Sequence, residues 1–567
     1  MSHLPHVVMV MLAFGFSMDR IRAETLSEGG LHYYRPVTAE KPATLECDIA
    51  IYGGTPAGVT AAIQAAKSGQ KVILISHNRH VGGMTSGGLT ATDLGEKSSI
   101  GGLAMEFYRQ LGKYVDYSPS AAESLYRKML REAGADILYD SFLKSVDLSD
   151  GHIAAITLET GKTIKASVFI DSTYEGDLLA AANVSYRVGR EPSAAFGESL
   201  NGQWQAVSWQ NVYQFCGLGI SPYVVPDDPK SGLLPEISDQ PHGKLGEGDH
   251  RVQAYNFRMR LSDKEGKIPF PKPKDYDAGR YALLARFMNA GPDIRWTLNY
   301  TTTPMTDGPV QLRNGDSNNA GSMSSNFVNG SNRWPDGTFE PVSFANLPAP
   351  RRGLRVPLHE LYRLRETLYQ AHLAYQQGYM YFLANDSQVP ENLRKRVNAF
   401  GLCPDEFKAT GNWPHHLYVR EGRRMVSEYV MTQNNCESKT IADDSIGLGS
   451  YSMDSHPCQR TIVRVNGKDI VRNEGACGQT CPKPYPISYR SIVPKKDECE
   501  NLLVPVCLSS THVAYGSIRM EPVFMILGQS AGMAASIASR NKIPVQDVDY
   551  EKLRRHLLEA GQLLQAE

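Results

Sequence analysis

Residues 46–89 constrain the fold of this chain more than any other stretch. A short apolar run at 47–52 leads into Gly53-Gly54-Thr55-Pro56-Ala57-Gly58, and the helix that follows carries Ala61, Ala62, Ala65 and Ala66, which keep it thin enough to lie on a sheet. Gly69 ends that helix, and 72–75 supply a second apolar run. Short apolar runs without alternation are strands buried on both faces. Strand, glycine turn, helix and strand in this order form a βαβ unit of the dinucleotide-binding kind, in which a pyrophosphate rests on N–H groups at the helix N-terminus.

The G-x-G-x-x-G fingerprint is incomplete. Gly53 and Gly58 fill its first and third places, but Thr55 stands in the second, where a Cβ narrows the approach of a pyrophosphate. Ser76-His77-Asn78 replaces the acid expected on a ribose hydroxyl, so Ser76 or Asn78 is left to make a weaker bond. The next loop, Arg79-His80-Val81-Gly82-Gly83-Met84-Thr85-Ser86-Gly87-Gly88, brings a basic residue, two glycine pairs and a hydroxyl pair directly after the second strand. Such a loop bares N–H groups along a second length of a long dinucleotide. The combination resembles the two-dinucleotide-domain flavoproteins, and it implies FAD lying along 53–58, Ser76, Asn78, Arg79 and 82–88.

At 567 residues the chain can bury a large core and suits two or three domains. Its formal net charge of −1 offers no global field for nucleic acid or a membrane surface. No uninterrupted apolar stretch reaches the roughly 18 residues of a membrane span. Residues 7–16 have the length and apolarity of a signal-peptide core, with Ala23 as a cleavage position, so 1–23 read as a signal peptide and the protein as exported. Against this, no Lys or Arg precedes Val7, and Asp19, Arg20 and Arg22 crowd the cleavage zone. Six of the nine cysteines (Cys436, Cys458, Cys477, Cys481, Cys499 and Cys507) lie in the last third. Some would pair in an oxidising compartment, and their spacing fits neither zinc nor iron–sulfur ligation, so no metal is expected.

Further along, 123–133 read as a helix and 136–139 as a third parallel strand. Runs at 153–158 and 163–170, separated by Asp150-Gly151 and Thr160-Gly161, read as a β-meander that crosses between sheet halves. It ends at Asp171-Ser172-Thr173-Tyr174-Glu175-Gly176-Asp177, where an acid and hydroxyls meet the carboxyl end of a strand. Asp171 and Ser172 are therefore candidate cofactor contacts, and capping of the next helix is the plainer reading. Taken with GGTPAG (53–58) and RHVGGMTSGGL (79–89), the segments 91–108, 169–191, 246–261, 413–433, 450–460, 487–495 and 512–538 resemble a family of bacterial FAD-dependent oxidoreductases, some labelled "xanthan lyase". The likeness covers most of the chain after about residue 45.

The expected architecture is α/β: a Rossmann-like FAD-binding domain with a β-meander crossover, plus an inserted α+β substrate domain. Its parts are 45–200, an insert at 201–414, a return segment at 415–545 that closes the flavin site, and a C-terminal helix at 546–567. In the insert, 299–353 are rich in Asn, Ser, Gly and Pro and read as a lid or a surface excursion, while 357–384 form a helix with Leu358, Leu361, Leu364 and Leu368 on its core face. In the return segment, Gly528, Ser530, Ala531 and Gly532 permit close helix packing. The resemblance places that block at the flavin, with a nearby helix dipole stabilising reduced-flavin charge.

Flavin carries the redox step, so the protein must supply a proton acceptor and oriented donors. His456, with Asp454 two residues before it to orient it, and His512, which opens the 512–538 block, are the candidate bases. His415 and His416 rank behind them. Arg519 faces the flavin or a substrate anion, or pairs with Glu521. Arg420, Glu421, Arg423 and Arg424 read as a solvated helical face, and Arg258 as a weaker substrate contact. The leading function is hydride transfer between flavin and a polar small molecule, a sugar or sugar-derived alcohol, with electrons leaving to an unidentified acceptor. A fumarate-reductase-type reduction of an unsaturated acid is the first alternative, with Arg258, Arg420 or Arg519 as clamps. A polysaccharide lyase and a non-catalytic flavin-binding protein are more distant ones.

Overall fold

Five parallel strands lie in the order Leu502–Leu503, Val168–Asp171, Ile49–Tyr52, Val72–Ile75 and Asp136–Leu138. The three inner strands are buried at every residue, which is why their sequences run apolar without alternation. Tyr52 is registered with Ile75 on one side and Asp171 on the other, so the strand ends that carry the glycine turn, Ser76 and Ser172 meet at one edge. The computed structural model describes residues 30–566 apart from 116, 204–214, 216–217, 241–242, 291–324, 326 and 331–356. The signal peptide expected at 1–23 and nearly all of the lid expected at 299–353 lie outside the described residues.

Helix Pro56–Lys67 starts at Thr55, whose Oγ1 accepts from Gly58 N at 3.3 Å and donates to the Ser172 carbonyl at 2.7 Å. Thr55 therefore caps the helix and ties it to the neighbouring strand end. Helix Glu521–Asn541 packs against the other side of Pro56–Lys67. A Cβ on Gly528 would stand 2.1 Å from Ala57 O and one on Gly532 2.4 Å from Ala61 O, while Thr60 Oγ1 donates to Met525 O at 2.7 Å. The block Gly528, Ser530, Ala531 and Gly532 is thus a packing seam rather than a cofactor surface: Ser530 donates to Ile446 O at 2.7 Å and Ala531 is buried. Helix Glu521–Asn541 is long and apolar enough to cross a membrane, but 94% of its apolar window is buried in the protein core.

The expected meander is present with a different division. Leu143–Ser149, His152–Leu158 and Lys162–Lys165 are antiparallel neighbours, and Ala43–Glu46 adds alongside Lys162–Lys165 in parallel. The run read as one strand at 163–170 breaks at residues 166–167, because its second half, Val168–Asp171, belongs to the central sheet. The long helix Leu358–Asn385 buries Leu358, Leu361 and Leu368 as expected, while Leu364, expected on the same face, is only partly buried. Two short antiparallel ladders, Asn256–Phe257 with Leu417–Tyr418 and Leu261–Ser262 with Gly401–Leu402, join the described parts of 243–290 to 401–418.

The charged run after Tyr418 is not a solvated helix. Arg420, Glu421, Arg423 and Arg424 are all at most 1% exposed. Each has a distant partner: Arg423 meets Asp177 at 2.9 Å, Arg424 meets Glu191 at 3.0 Å, Glu421 meets His512 at 2.9 Å, and Arg420 donates to Ala254 O at 2.8 Å. Pairing of this kind is what allows charges to remain buried. The eight described cysteines are all free thiols, so the pairing expected from their number is not found among them.

Candidate active site

The glycine turn and the loop after the second strand are pinned together, since Gly82 N donates to Gly54 O at 2.7 Å. Gly53 has φ +117°, and a Cβ there would lie 2.5 Å from the Ser172 carbonyl carbon. A Cβ on Gly54 would lie 2.6 Å from Ser76 Oγ. Both glycines leave room that no other residue could leave. The resulting cleft is lined by Gly54, Thr55, Ser76, Asn78, Gly83, His415 and His416, among others. Among the described residues, buried Nε2 of His415 in this lining and Oγ of Ser172 at the neighbouring strand end have no partner. His415 stacks on His80 with ring centroids 3.6 Å apart, so the two histidines ranked behind the others in the sequence are the ones that wall this cleft.

Other expected contacts turn away from it. Asp171 spends its carboxylate on its own turn, accepting from Thr173 Oγ1 at 2.7 Å and Leu179 N at 2.8 Å. Burial pushes its pKa up to about 6. Arg79 points outward to Asp140 at 2.9 Å. Ser76 and Asn78 remain at the cleft, where Ser76 Oγ donates to His80 O at 2.9 Å and Asn78 Oδ1 accepts from His80 N at 2.9 Å.

The short helix Gly83–Gly87 fastens the second loop. Met84 N donates to Tyr174 OH at 3.1 Å, and Tyr174 OH donates to Glu521 Oε1 at 2.8 Å. Thr85 Oγ1 donates to Glu521 Oε2 at 2.9 Å, and Ser86 Oγ to Val81 O at 2.7 Å. Close packing continues outward, for a Cβ on Gly87 would lie 2.3 Å from His416 Cβ and one on Gly88 2.4 Å from Arg258 O. Arg258 thus brings a second group of residues to the end of the loop.

That group surrounds the ring of Tyr418. Arg519 donates to Tyr418 OH at 2.8 Å and pairs with Asp454 at 3.0 Å, so its expected pairing with Glu521 does not occur. The turn at Met520 sends Arg519 and Glu521 in opposite directions, one to Asp454 and the other to Thr85. His456 Nε2 lies 3.3 Å from Asp454 Oδ2, while its buried Nδ1 has no partner among the described residues. Burial, then the charge of Arg420, lowers the His456 pKa to about 3, so the ring is neutral near pH 7. His512 is occupied at both nitrogens, by Glu421 at 2.9 Å and Ser455 Oγ at 3.0 Å. The spacing in sequence brought Asp454 and His456 together correctly. Tyr418, and the roles of Tyr174 and Glu521 in fastening the loop, were missed, because their partners lie far away in the sequence.

The profile of the family described as FAD dependent oxidoreductase matches residues 48–557. This chain belongs to that family. The chain is similar to the thiamine thiazole synthase of Thermotoga maritima, with 26% identity over 134 residues, 23% of this chain and 53% of that protein. It thus spans about half the length of the curated relative it matches. Among solved structures it is similar to Thermovibrio ammonificans THI4 (16% identity, 33% of this chain and 73% of that one, TM-score 0.21). It is also similar to the thioredoxin reductase of T. acidophilum (21% identity, 23% and 35%, TM-score 0.17).

FAD is the cofactor, and among the described residues buried Ser172 Oγ and His415 Nε2 are left without a partner beside the glycine turn, whose Cβ space at Gly53 and Gly54 is taken by Ser172 and Ser76. Gly53–Gly58, Ser76, Asn78, Gly82 and Gly83 are the residues that would hold it. Glu521, pinned to the same loop, gives a pH signature. Burial pushes its pKa from 4.5 up to about 7, against the hydrogen bonds from Tyr174 and Thr85. The folded state then binds a proton that the unfolded chain releases, so stability falls as pH rises from about 4.5 to 7, by roughly 3 kcal/mol for this group. Urea unfolding at pH 5 and pH 8 should show the loss, and Glu521→Gln should flatten it. An unchanged slope in that variant would assign the dependence elsewhere.

Proposed function

We propose that the oxidoreductase transfers a hydride between FAD and a polar small molecule seated against Tyr418, with His456 as the proton-accepting group. The buried, unpartnered Nδ1 of His456 carries this reading. Asp454 receives the Nε2–H, which leaves the Nδ1 lone pair to accept. Bound FAD supplies the two-electron acceptor. As a carbinol C–H bond breaks with its electron pair, the hydroxyl proton passes to Nδ1 and a carbonyl forms. A sugar-derived alcohol remains one substrate class for this step. Reduction of an unsaturated acid, with the same proton moving the other way, is the second reading, favoured by the arginines around Tyr418. Membership of the family supports both over a lyase or a non-catalytic flavoprotein. Export, resting on residues 7–16, belongs to the same proposal.

Stopped-flow reduction of the bound flavin tests the assignment. His456→Asn should slow it by about 10²-fold or more with flavin content unchanged, as loss of a general base does. His512→Asn should act on stability instead, since both of its ring nitrogens are committed to buried partners. Reduction at the wild-type rate in His456→Asn would remove His456 from the chemistry.

A further inference from the structure

We infer that His415 is a binding residue for FAD, its buried Nε2 donating a hydrogen bond to the diphosphate that joins the two halves of the cofactor. The assignment concerns the cofactor end of the molecule, so it stands or falls apart from the choice of His456 as the base. Gly54, Thr55, Ser76, Gly83 and His415 border a space of about 250 Å³. Whole small-molecule sites run to roughly 300–1,000 Å³, so this space suits one segment of a dinucleotide. Beside it begins helix Pro56–Lys67, which has no acid in its first turn and whose dipole favours an anion. Among the described residues that line the space none is Lys or Arg, so a phosphate there depends on neutral donors.

Three of the lining side chains are turned to the protein. Ser76 Oγ donates to His80 O at 2.9 Å, Asn78 Oδ1 accepts from His80 N at 2.9 Å, and Thr55 Oγ1 donates to Ser172 O at 2.7 Å. Among the described residues, His415 Nε2 is the buried polar atom of this lining left without a partner. Its ring is held in place. It stacks on His80 with 3.6 Å between centroids and 11° between planes, and His80 Nδ1 lies 3.0 Å from Glu123, which also takes Arg127 at 2.6 Å. Tyr369 OH donates to His415 O at 3.1 Å, and His416 N donates to Gly87 O at 3.3 Å. His415 Nε2 lies 3.3 Å from where a Cβ on Gly87 would stand, so the atom faces the second glycine loop. Burial, then His80 and His416, hold the His415 pKa well below the ordinary histidine value, so the ring is neutral with a single N–H. A phosphate oxygen only accepts, and it selects the tautomer that carries this proton on Nε2.

The test follows binding in the full chain. Recovery of flavin fluorescence on dilution of the FAD-loaded protein gives the affinity for FAD, and calorimetric titration of flavin-stripped protein with ADP, adenosine and riboflavin locates any loss. His415→Leu should weaken FAD and ADP by about tenfold or more, as losing a hydrogen bond to a charged group does. It should leave any binding of adenosine or riboflavin unchanged. His415→Gln, which keeps a donor of similar reach, should recover part of the loss. In wild-type protein carrying isotope-labelled histidine, ADP but not adenosine should shift an Nε2 resonance that is missing from His415→Gln, a reading that does not depend on how well His415→Leu folds. Unchanged FAD affinity in His415→Leu, adenosine weakened as much as ADP, no ADP binding by the wild type, or no shifted resonance would each overturn the inference.

Discussion

Gly58→Ala should yield colourless protein. The new Cβ would lie 1.9 Å from the carbonyl oxygen of Gly53, a backbone atom with little freedom to retreat. Gly53 N is itself bonded to Ile75 O at 2.8 Å, and Gly53 sits against the Ser172 carbonyl. Relief of the clash must therefore open the turn between the first strand and helix Pro56–Lys67, the surface that would face FAD. Overpacking of this kind costs about 1–3 kcal/mol or more, and the turn would lose the geometry that presents its N–H groups. The ratio of flavin to protein absorbance after purification and FAD reconstitution reads the outcome directly. Gly134→Ala provides the comparison: Gly134 has φ +77° but nothing within 4 Å of its added Cβ, so only the backbone preference is lost. That variant should keep its flavin at a cost of about 1 kcal/mol. Full flavin content in Gly58→Ala would show that the cradle tolerates a side chain after all.

The second large effect is expected at Asp177. Its carboxylate receives Arg365 at 2.6 and 2.8 Å and Arg423 at 2.9 Å, and all three side chains are buried. Burial alone would raise its pKa, but the two guanidiniums hold it down to about 2. The stabilisation is thus present above the ordinary value of 3.8 and is lost as pH falls toward 2. Asp177→Ala leaves two buried cations without this counter-charge and should destabilise the protein by about 3–5 kcal/mol. Arg365→Ala combined with Asp177→Ala should cost less than the two single losses together, with a coupling of about 1 kcal/mol or more by urea unfolding. Additive losses would mean that the pair contributes no more than its separate burial.

Asp177 also marks where reading along the chain fell short. In sequence it looks like a helix cap, and it does open the short helix Asp177–Ala181. Its larger role depends on Arg365 and Arg423, 188 and 246 residues away. The run Arg420 to Arg424 failed in the same way. Charge density along a chain points to solvent unless partners arrive from elsewhere, and Asp177, Glu191 and His512 are not legible from that position.

What the sequence determined by itself was the local grammar of the cofactor cleft: the buried strand, the glycine turn, the thin helix and the glycine-rich loop. These depend on backbone angles and on the absence of Cβ atoms, which are properties of neighbours in the chain. It also brought Asp454 to His456, two residues on and just past the strand Met453–Ser455. Only the tertiary structure decided that Gly528 and Gly532 serve packing, since small residues permit close approach to a helix and to a coenzyme alike. It alone freed His456 Nδ1 while committing both nitrogens of His512, and gathered three arginines on Tyr418. Burial and ion pairing are set by groups that meet only after folding, so their energies cannot be read from spacing.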